Sequence, residues 1–176
     1  MGATHDYSSC NGRSGIKPRM SRARETVKTF VRPARHGDLD AVLRLLDDLR
    51  WDAHQDAGLP PERIARTWAS ILGQDGRCVL VAEVAGEIVG TADLLIVANL
   101  THDLRPWAIV EHVAVAPHAR RRGIGRELMA EAVARAEAAG CHKIQLLSRK
   151  ERSEAHRFYE AVGFEPVAER FRRYLA

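Results

Sequence analysis

The sequence predicts a single α/β domain in which a mixed β-sheet is covered by helices. Two observations support this fold class. Strand-like and helix-like segments follow one another in the order β-α-α-β-β-β-α-β-α-β without an internal repeat, and this order is typical of a layered α/β domain. The 176 residues are 45% hydrophobic and 28% charged, which is the composition of an ordinary globular protein that can bury one core.

The first part of the predicted domain contains a strand and two helices. Residues 29–32 form the strand, and Asp38 is placed to cap the first helix. Four apolar residues recur on one face of this helix: Val42, Leu45, Leu46 and Leu49. The second helix begins after Pro60 and Pro61 and ends at Gly73.

Three strands are predicted in the middle of the chain. Residues 78–84 and 87–97 are rich in β-forming residues and are separated by Ala85 and Gly86, a pair typical of a hairpin turn. These two strands are therefore expected to be antiparallel neighbours. A further strand covers residues 107–115 and is apolar apart from two adjacent polar residues.

The last part of the chain is predicted to alternate helices and strands. A helix over residues 125–139 is followed by a strand at residues 143–148. Ser153 can cap a final helix that ends at Gly163. Residues 164–174 form the last predicted strand.

The net charge of +4 is concentrated at the N-terminus, because residues 1–28 carry six basic and two acidic residues. The remainder is electrically balanced, so the sequence does not favour a nucleic-acid-binding protein despite a pI of about 9.2. Residues 1–27 are rich in Ser, Gly, Arg and Asn and lack an apolar period. We therefore expect a basic, disordered tail before a domain that spans residues 28–176.

No apolar stretch approaches the roughly 20 residues that a membrane helix requires, and the N-terminus lacks the apolar core of a secretory signal. We therefore expect a cytoplasmic protein without a membrane segment. The three cysteines are widely spaced, and the histidines show no spacing typical of a metal site. Reduced thiols and no bound metal are expected.

The most informative motif extends from Val115 to Arg126, where a strand leads through a basic, glycine-containing turn into a helix. Glycines let the backbone approach a ligand closely, and a helix N-terminus adds partial positive charge to that of the arginines. A pyrophosphate fits this pattern, although a helix start with solvated arginines would give the same residues. Leu128 stands where a Rossmann fingerprint needs its third glycine, and the Gly-Lys-Ser/Thr of a Walker loop is absent.

Two motifs resemble those of the GNAT N-acetyltransferases. Arg120-x-x-Gly123-x-Gly125, after a strand that ends with residues 113–115, resembles the family's acetyl-CoA loop. Residues 155–164 resemble its C-terminal motif, in which a helix ending in Gly-Phe places a tyrosine near the CoA sulfur. The resemblance implies a mixed, mostly antiparallel central sheet flanked by helices, and acetyl-CoA as co-substrate.

The resemblance also implies how this chain would hold acetyl-CoA. The strand end would pair with the pantetheine arm through Val113, Ala114 and Val115. The turn and helix start would hold the pyrophosphate through Arg120, Arg121, Arg122, Gly123, Ile124, Gly125 and Arg126. Arg152 stands where many members have an asparagine, which puts one CoA contact in doubt. Within the family, the run from Val110 onward looks most like aminoalkylphosphonate acetyltransferases. The resemblance also suggests a homodimer, in which residues 167–174 would be the strand edge that pairs with the second copy.

Transfer to an amine requires a proton donor for the departing thiolate and a base for the amine. Tyr159 is the candidate acid, because a phenol with a pKa of about 10 can protonate a thiolate of similar strength. A core tyrosine at helical spacing is the alternative. Glu111 is the candidate base or the residue that orders a water acting as one, and a structural partner within the sheet is the alternative.

Strand alternation predicts that Glu111 shares a face with Ile109, Val113 and Val115, and that His112 points the other way unless a bulge intervenes. The predicted activity is transfer of acetyl from acetyl-CoA to a primary amine, with a small-molecule amine favoured. The loops at residues 51–59 and 99–105 are candidates for binding it. A non-catalytic acyl-CoA sensor and a nucleic-acid-binding protein that uses the basic tail are the competing hypotheses.

Overall fold

The computed structural model describes residues 28–47, 49, 58–168, 171 and 173. The predicted tail at residues 1–27 and most of the predicted substrate loop, residues 51–57, lie outside the described residues. The described part contains one sheet of five strands: β1 Thr29–Pro33, β2 Arg77–Val84, β3 Glu87–Val97, β4 Trp107–Val115 and β5 Ile144–Leu146. The strands lie in chain order; the first four are antiparallel, and β5 is parallel to β4. The predicted mixed, mostly antiparallel sheet is confirmed.

Four helices flank the sheet: α1 Leu39–Asp47, α2 Pro61–Leu72, α3 Ile124–Ala138 and α4 Ser153–Ala161. All four were predicted to within a few residues. Within the residues that the structure describes, no helix is both long enough and apolar enough to cross a bilayer. A location in the cytoplasm stays a prediction.

The helices cover the two faces of the sheet. On one face, Leu80, Ala92 and Leu94 pack in a cluster with Leu128 and Met129 of α3. The residues of the opposite face point toward α1 and α2, where the buried cluster comprises Val42, Trp68, Val79 and Val81. Alternate residues of β2 and β3 therefore belong to different layers, as the period of a strand requires.

The hairpin between β2 and β3 forms as predicted. Both turn residues, Ala85 and Gly86, have positive φ angles of 52° and 84°. A two-residue turn with this conformation matches the right-handed twist of the strands that it joins. The antiparallel register of β2 and β3 follows directly from it.

Two predicted helix caps are wrong. Asp38 ends a short 3-10 turn, His36–Asp38, that precedes α1, and its carboxylate accepts the backbone N–H of Arg35 at 2.7 Å. The guanidinium of Arg32 also contacts this carboxylate, at 2.6 Å, and lowers the pKa of Asp38. Ser153 is the first residue of α4 and makes no capping hydrogen bond, because the helix begins one residue earlier than the cap prediction required.

The predicted last strand is wrong over the residues that the structure describes. Residues 164–168, 171 and 173 have no strand structure, and the rest of the segment lies outside the described residues. Pro166 gives a physical reason, because it lacks the N–H that a strand ladder needs. A homodimer built on this edge stays a prediction.

Candidate active site

The arginine loop, residues 116–123, connects β4 to α3. Gly123 has a φ of 86°, in the left-handed region that a glycine adopts without strain, and it occupies the cap position of α3. As a glycine, the cap residue makes no side-chain hydrogen bond to this helix end. The first N–H groups of α3 therefore receive no acceptor from the cap residue, and with the helix dipole they form a positively polarised end that suits an anion.

The four predicted arginines differ in their contacts. Arg120 donates from Nε to the carbonyl oxygen of Val115 at 2.9 Å, and this contact folds the loop back on the end of β4. Arg121 contacts Glu154 at 2.9 Å in a solvent-exposed pair. Arg122 and Arg126 are exposed. An anion at the helix end would compete with Glu154 for Arg121. The pair would yield easily, because an exposed ion pair contributes little to stability.

Gly125 allows close packing against α4. A Cβ built at this position would approach ring carbons of Phe158 to 3.1 and 3.3 Å. A side chain here would therefore require the Phe158 ring to move by a few tenths of an ångström. The sequence motif thus contains one glycine that sets the loop conformation, Gly123, and one that lets two helices meet.

The strands β4 and β5 separate toward the arginine loop. They pair at only three positions of β4: Ala108, Ile109 and Val110. Farther along, Ala116 donates its N–H to Val89 on β3 at 2.9 Å. Because neighbouring residues of a strand direct their N–H groups to opposite sides, those of Val113 and Val115 are directed away from β3. In the described part of the chain no strand lies on that side, so an extended ligand could pair there.

A cavity of about 190 Å³, here the strand cavity, opens where β4 and β5 separate. Its lining residues are Leu49, Val110, Glu111, His112, Val113, Leu147, Ser148, Arg149, Arg152 and Tyr159. The two predicted catalytic residues, Glu111 and Tyr159, therefore line one cavity. Burial raises the pKa of Tyr159, and nearby Arg152 only partly opposes this shift, so the phenol keeps its proton at neutral pH.

Ser148 is a residue of the strand cavity that the sequence analysis missed. Its Oγ is buried, and it has no hydrogen-bond partner in the part of the chain that the structure describes. Buried hydroxyl groups without a partner are uncommon and call for an explanation. A ligand that brings a polar atom into the cavity would satisfy this one. Together with the open edge of β4 and the helix end, it fits the thioester arm and pyrophosphate of acetyl-CoA.

A comparison with known protein families assigns the chain. The sequence pattern of the acetyltransferase (GNAT) family matches residues 43–164, well over half of the chain. The chain belongs to the GNAT family. It is an acetyl-CoA-dependent acyltransferase, and the predicted enzyme class is confirmed.

Individual GNAT relatives agree with this assignment. The chain is 31% identical to glucosamine 6-phosphate N-acetyltransferase of Trypanosoma brucei brucei, over 80% of this chain and 91% of the relative. It is 32% identical to aminoglycoside N(6')-acetyltransferase type 1 of Stenotrophomonas maltophilia, over 66% of this chain and 76% of the relative. A solved structure from Agrobacterium tumefaciens str. C58, provisionally described as an acetyltransferase, superposes with a TM-score of 0.76 at 35% identity. That superposition covers 83% of this chain and 99% of the other.

Two of these relatives act on amines, as their names state: one on glucosamine 6-phosphate and one on aminoglycosides. None of the relatives named above is an aminoalkylphosphonate acetyltransferase. That narrower likeness stays a prediction. The roles predicted for Tyr159, Glu111 and the arginine loop also stay predictions.

A β-bulge in β4 changes which side of the sheet the side chains of this strand occupy. Glu111 pairs with Asp93, whereas Ala114 pairs with Thr91, so β4 holds one extra residue opposite β3. His112, within the bulge, has a φ of 54°. The expected alternation is therefore wrong beyond this point: Val115 pairs with Gly90 and faces α3, while Glu111 belongs to the opposite face.

At the bulge, His112 joins two polar residues of β2 and β3 that the sequence analysis did not connect with it. Nδ1 of His112 lies 3.7 Å from the Asp93 carboxylate, which is buried. Arg77 donates from Nε to both carboxylate oxygens, at 3.0 and 3.1 Å. Burial opposes ionisation of Asp93, but the contacts with His112 and Arg77 prevail and lower its pKa. Asp93 in turn raises the pKa of His112.

A larger cavity of about 530 Å³, here the helix cavity, lies between α1, α2 and the face of β2, β3 and β4 opposite α3. His112 and Asp93 form part of its wall. His112 is also in the wall of the strand cavity and is the residue that the two linings share. The bulge therefore stands between the two cavities.

Proposed function

We propose that this protein transfers the acetyl group of acetyl-CoA directly to a small-molecule primary amine. Tyr159 acts as the proton donor, and Glu111 acts as the base or orders a water that does. The observation that carries the proposal is the presence of both side chains in the wall of the strand cavity. That cavity lies where the edge of β4 is open, on the strand that leads through the arginine loop to the start of α3.

Acetyl-CoA, the acyl donor of the family, supplies an activated thioester to this site. Val113 and Val115 would pair with its extended arm through their outward-directed N–H groups, and Ser148 would satisfy its Oγ on the same ligand. The start of α3, with Gly123 as its cap, and the exposed Arg122 and Arg126 would hold the pyrophosphate. Such an arrangement would place the acyl carbon beside Glu111 and Tyr159.

Proton transfer is then divided between two residues in one cavity. Tyr159 holds its proton at neutral pH because burial raises its pKa, so it can deliver that proton to a departing thiolate. Glu111 is exposed to the same cavity and can receive the proton that the attacking amine loses. The difference between these tasks matches the difference between a buried phenol and a carboxylate.

The test is thiol release from acetyl-CoA with a panel of primary amines, including aminosugars, aminoglycosides, alkylamines and aminoalkylphosphonates. Wild type, Tyr159→Phe and Glu111→Gln would be measured together, with acetyl-CoA affinity determined by calorimetry. Amine-dependent release that falls in both variants at unchanged acetyl-CoA affinity supports the proposal. Tight acetyl-CoA binding without release on any amine would favour a non-catalytic acyl-CoA sensor.

A further inference from the structure

The helix cavity has the size and the lining of a small-molecule site. Its volume of about 530 Å³ lies within the range of roughly 300 to 1,000 Å³ that is usual for such sites. Most of its wall is apolar, and its apolar residues include Leu43, Leu46, Ile64, Trp68, Ile71 and Val79. A guest would therefore gain chiefly from the burial of apolar surface.

Three polar residues of this wall are engaged with the protein. Thr67 donates its hydroxyl to the carbonyl of Arg63 at 2.9 Å, and Thr91 donates to the carbonyl of Leu80 at 3.0 Å. Asp93 is held by Arg77. The charged residues Asp47 and Arg63 also belong to the lining. Along the rest of the wall a guest with many hydroxyl groups would find few open partners, so burying those hydroxyls would cost free energy. That part of the wall suits a hydrocarbon better than a sugar.

His112 provides the polar end of the cavity. The carboxylate of Asp93 lies on the Nδ1 side of its ring, which leaves Nε2 to meet a ligand. The charged groups that face the ring are Asp93 of β3, Arg77 of β2 and Glu111 of β4. Because the ring also lines the strand cavity, a group that passes His112 arrives next to Glu111 and Tyr159.

We propose that the acceptor is a primary amine with an apolar body, which lies in the helix cavity and directs its nitrogen past His112 into the strand cavity. In its neutral form, His112 accepts a hydrogen bond from that nitrogen at Nε2, and Asp93 positions the ring from the Nδ1 side. The assignment rests on the proposed function, because it names the acceptor class for the same transfer. It separates this chain from an enzyme that recognises its acceptor through sugar hydroxyls.

A homologous series of alkylamines tests the assignment. From propylamine to hexylamine, kcat/KM should rise about three- to fourfold with each methylene group, until the cavity is full. Diglycolamine has the chain length of hexylamine but carries one ether oxygen and one hydroxyl. Its kcat/KM should be at least about tenfold lower than that of hexylamine. A flat series, or a preference for diglycolamine or glucosamine 6-phosphate, would overturn the assignment.

Two tryptophan substitutions on α2 give a matched pair. Ile64→Trp fills the helix cavity and should remove the chain-length dependence, while Ala65→Trp, on an exposed position outside the lining, should leave it intact. Leu43→Phe narrows the same cavity from α1 and serves if Ile64→Trp does not fold. Equal effects of the substitutions at positions 64 and 65 would contradict the cavity assignment.

Equilibrium binding of the alkylamines, measured by ligand-detected NMR on wild type and Ile64→Trp, separates the acceptor site from the chemistry. Binding that strengthens with chain length and is lost in Ile64→Trp supports the helix cavity, even if no amine is acetylated and the proposed function fails. An affinity that changes neither with chain length nor in Ile64→Trp overturns the cavity assignment, even if acetylation proceeds.

Discussion

The two cavities on either side of the bulge differ in what forms them. The strand cavity is polar and results from backbone geometry: β4 and β5 separate, an edge stays open, and a buried hydroxyl of Ser148 lacks a partner. The helix cavity is mostly apolar and results from side chains on α1 and α2 packed over the sheet. We infer from this difference a division of labour, in which the strands β4 and β5 position the acyl donor and the helices α1 and α2 select the acceptor.

The largest expected effect concerns the strand cavity alone. Tyr159→Phe should lower kcat by about 100-fold or more, because it removes the proton for the departing thiolate. The affinities for acetyl-CoA and for hexylamine should change less than about twofold, since no charge and little volume are lost. Steady-state rates, calorimetry and ligand-detected NMR measure the three quantities. An unchanged kcat would remove Tyr159 from the mechanism.

The next effect concerns the wall between the cavities. Asp93→Asn should lower the free energy of unfolding by about 2 to 3 kcal/mol at pH 7, because it leaves Arg77 facing a neutral group in a mostly buried site. Asp75→Asn, at an exposed turn, is the matched control and should change stability by less than about 0.5 kcal/mol. Denaturant unfolding of both variants measures the difference.

The pH dependence of that loss has a definite sign. The folded protein lowers the pKa of Asp93, so its contribution to stability is present above the unfolded pKa and is lost as pH falls through the folded value. The stability gap between wild type and Asp93→Asn should therefore shrink below about pH 4. A gap that widens as the solution becomes more acidic would contradict the assigned ion pair.

A smaller effect is expected at Ser148, in the strand cavity proposed to bind acetyl-CoA. Ser148→Ala should leave the stability of the free protein unchanged or raise it slightly, because the buried Oγ has no partner to lose. Acetyl-CoA should bind about three- to tenfold more weakly if that hydroxyl serves the ligand. Hexylamine binding should be unaffected. A clear loss of stability without a change in acetyl-CoA affinity would assign Ser148 to the fold.

The smallest effect concerns the arginine loop. Glu154→Gln frees Arg121 from an exposed pair, so stability should fall by no more than about 0.5 kcal/mol. Acetyl-CoA affinity should rise slightly at low salt, and the gain should disappear at high salt. Weaker acetyl-CoA binding in this variant would show that Glu154 supports the site.

Most of the fold could be predicted because its elements carry strong local patterns. The hairpin at Ala85-Gly86 and the apolar faces of α1 and α3 depend on residues close in sequence. Over its described residues the last predicted strand is wrong, and Pro166, which lacks a backbone N–H, is the residue that argues against it. The predictions of the two helix caps are wrong because, at each helix start, the sequence is compatible with more than one first residue.

The site could be predicted only in part, for a reason of geometry. Tyr159, Glu111 and the loop glycines lie in contiguous motifs, whereas Arg77, Asp93 and His112 come from three strands and meet through the register of the sheet. The extra residue in β4 sets that register, and its position depends on pairing with β3. The sequence signals that could have indicated this cluster were Asp93 and His112, each a polar residue within an otherwise apolar strand.

The most direct test is a crystal structure with an analogue in which the CoA sulfur is joined through an acetyl group to hexylamine. We expect the hexyl chain against Ile64 and Trp68, the linking amide beside His112, and the sulfur about 3 to 4 Å from the Tyr159 hydroxyl. A hexyl chain outside the helix cavity would contradict the acceptor assignment. A sulfur remote from Tyr159 would contradict the catalytic site itself.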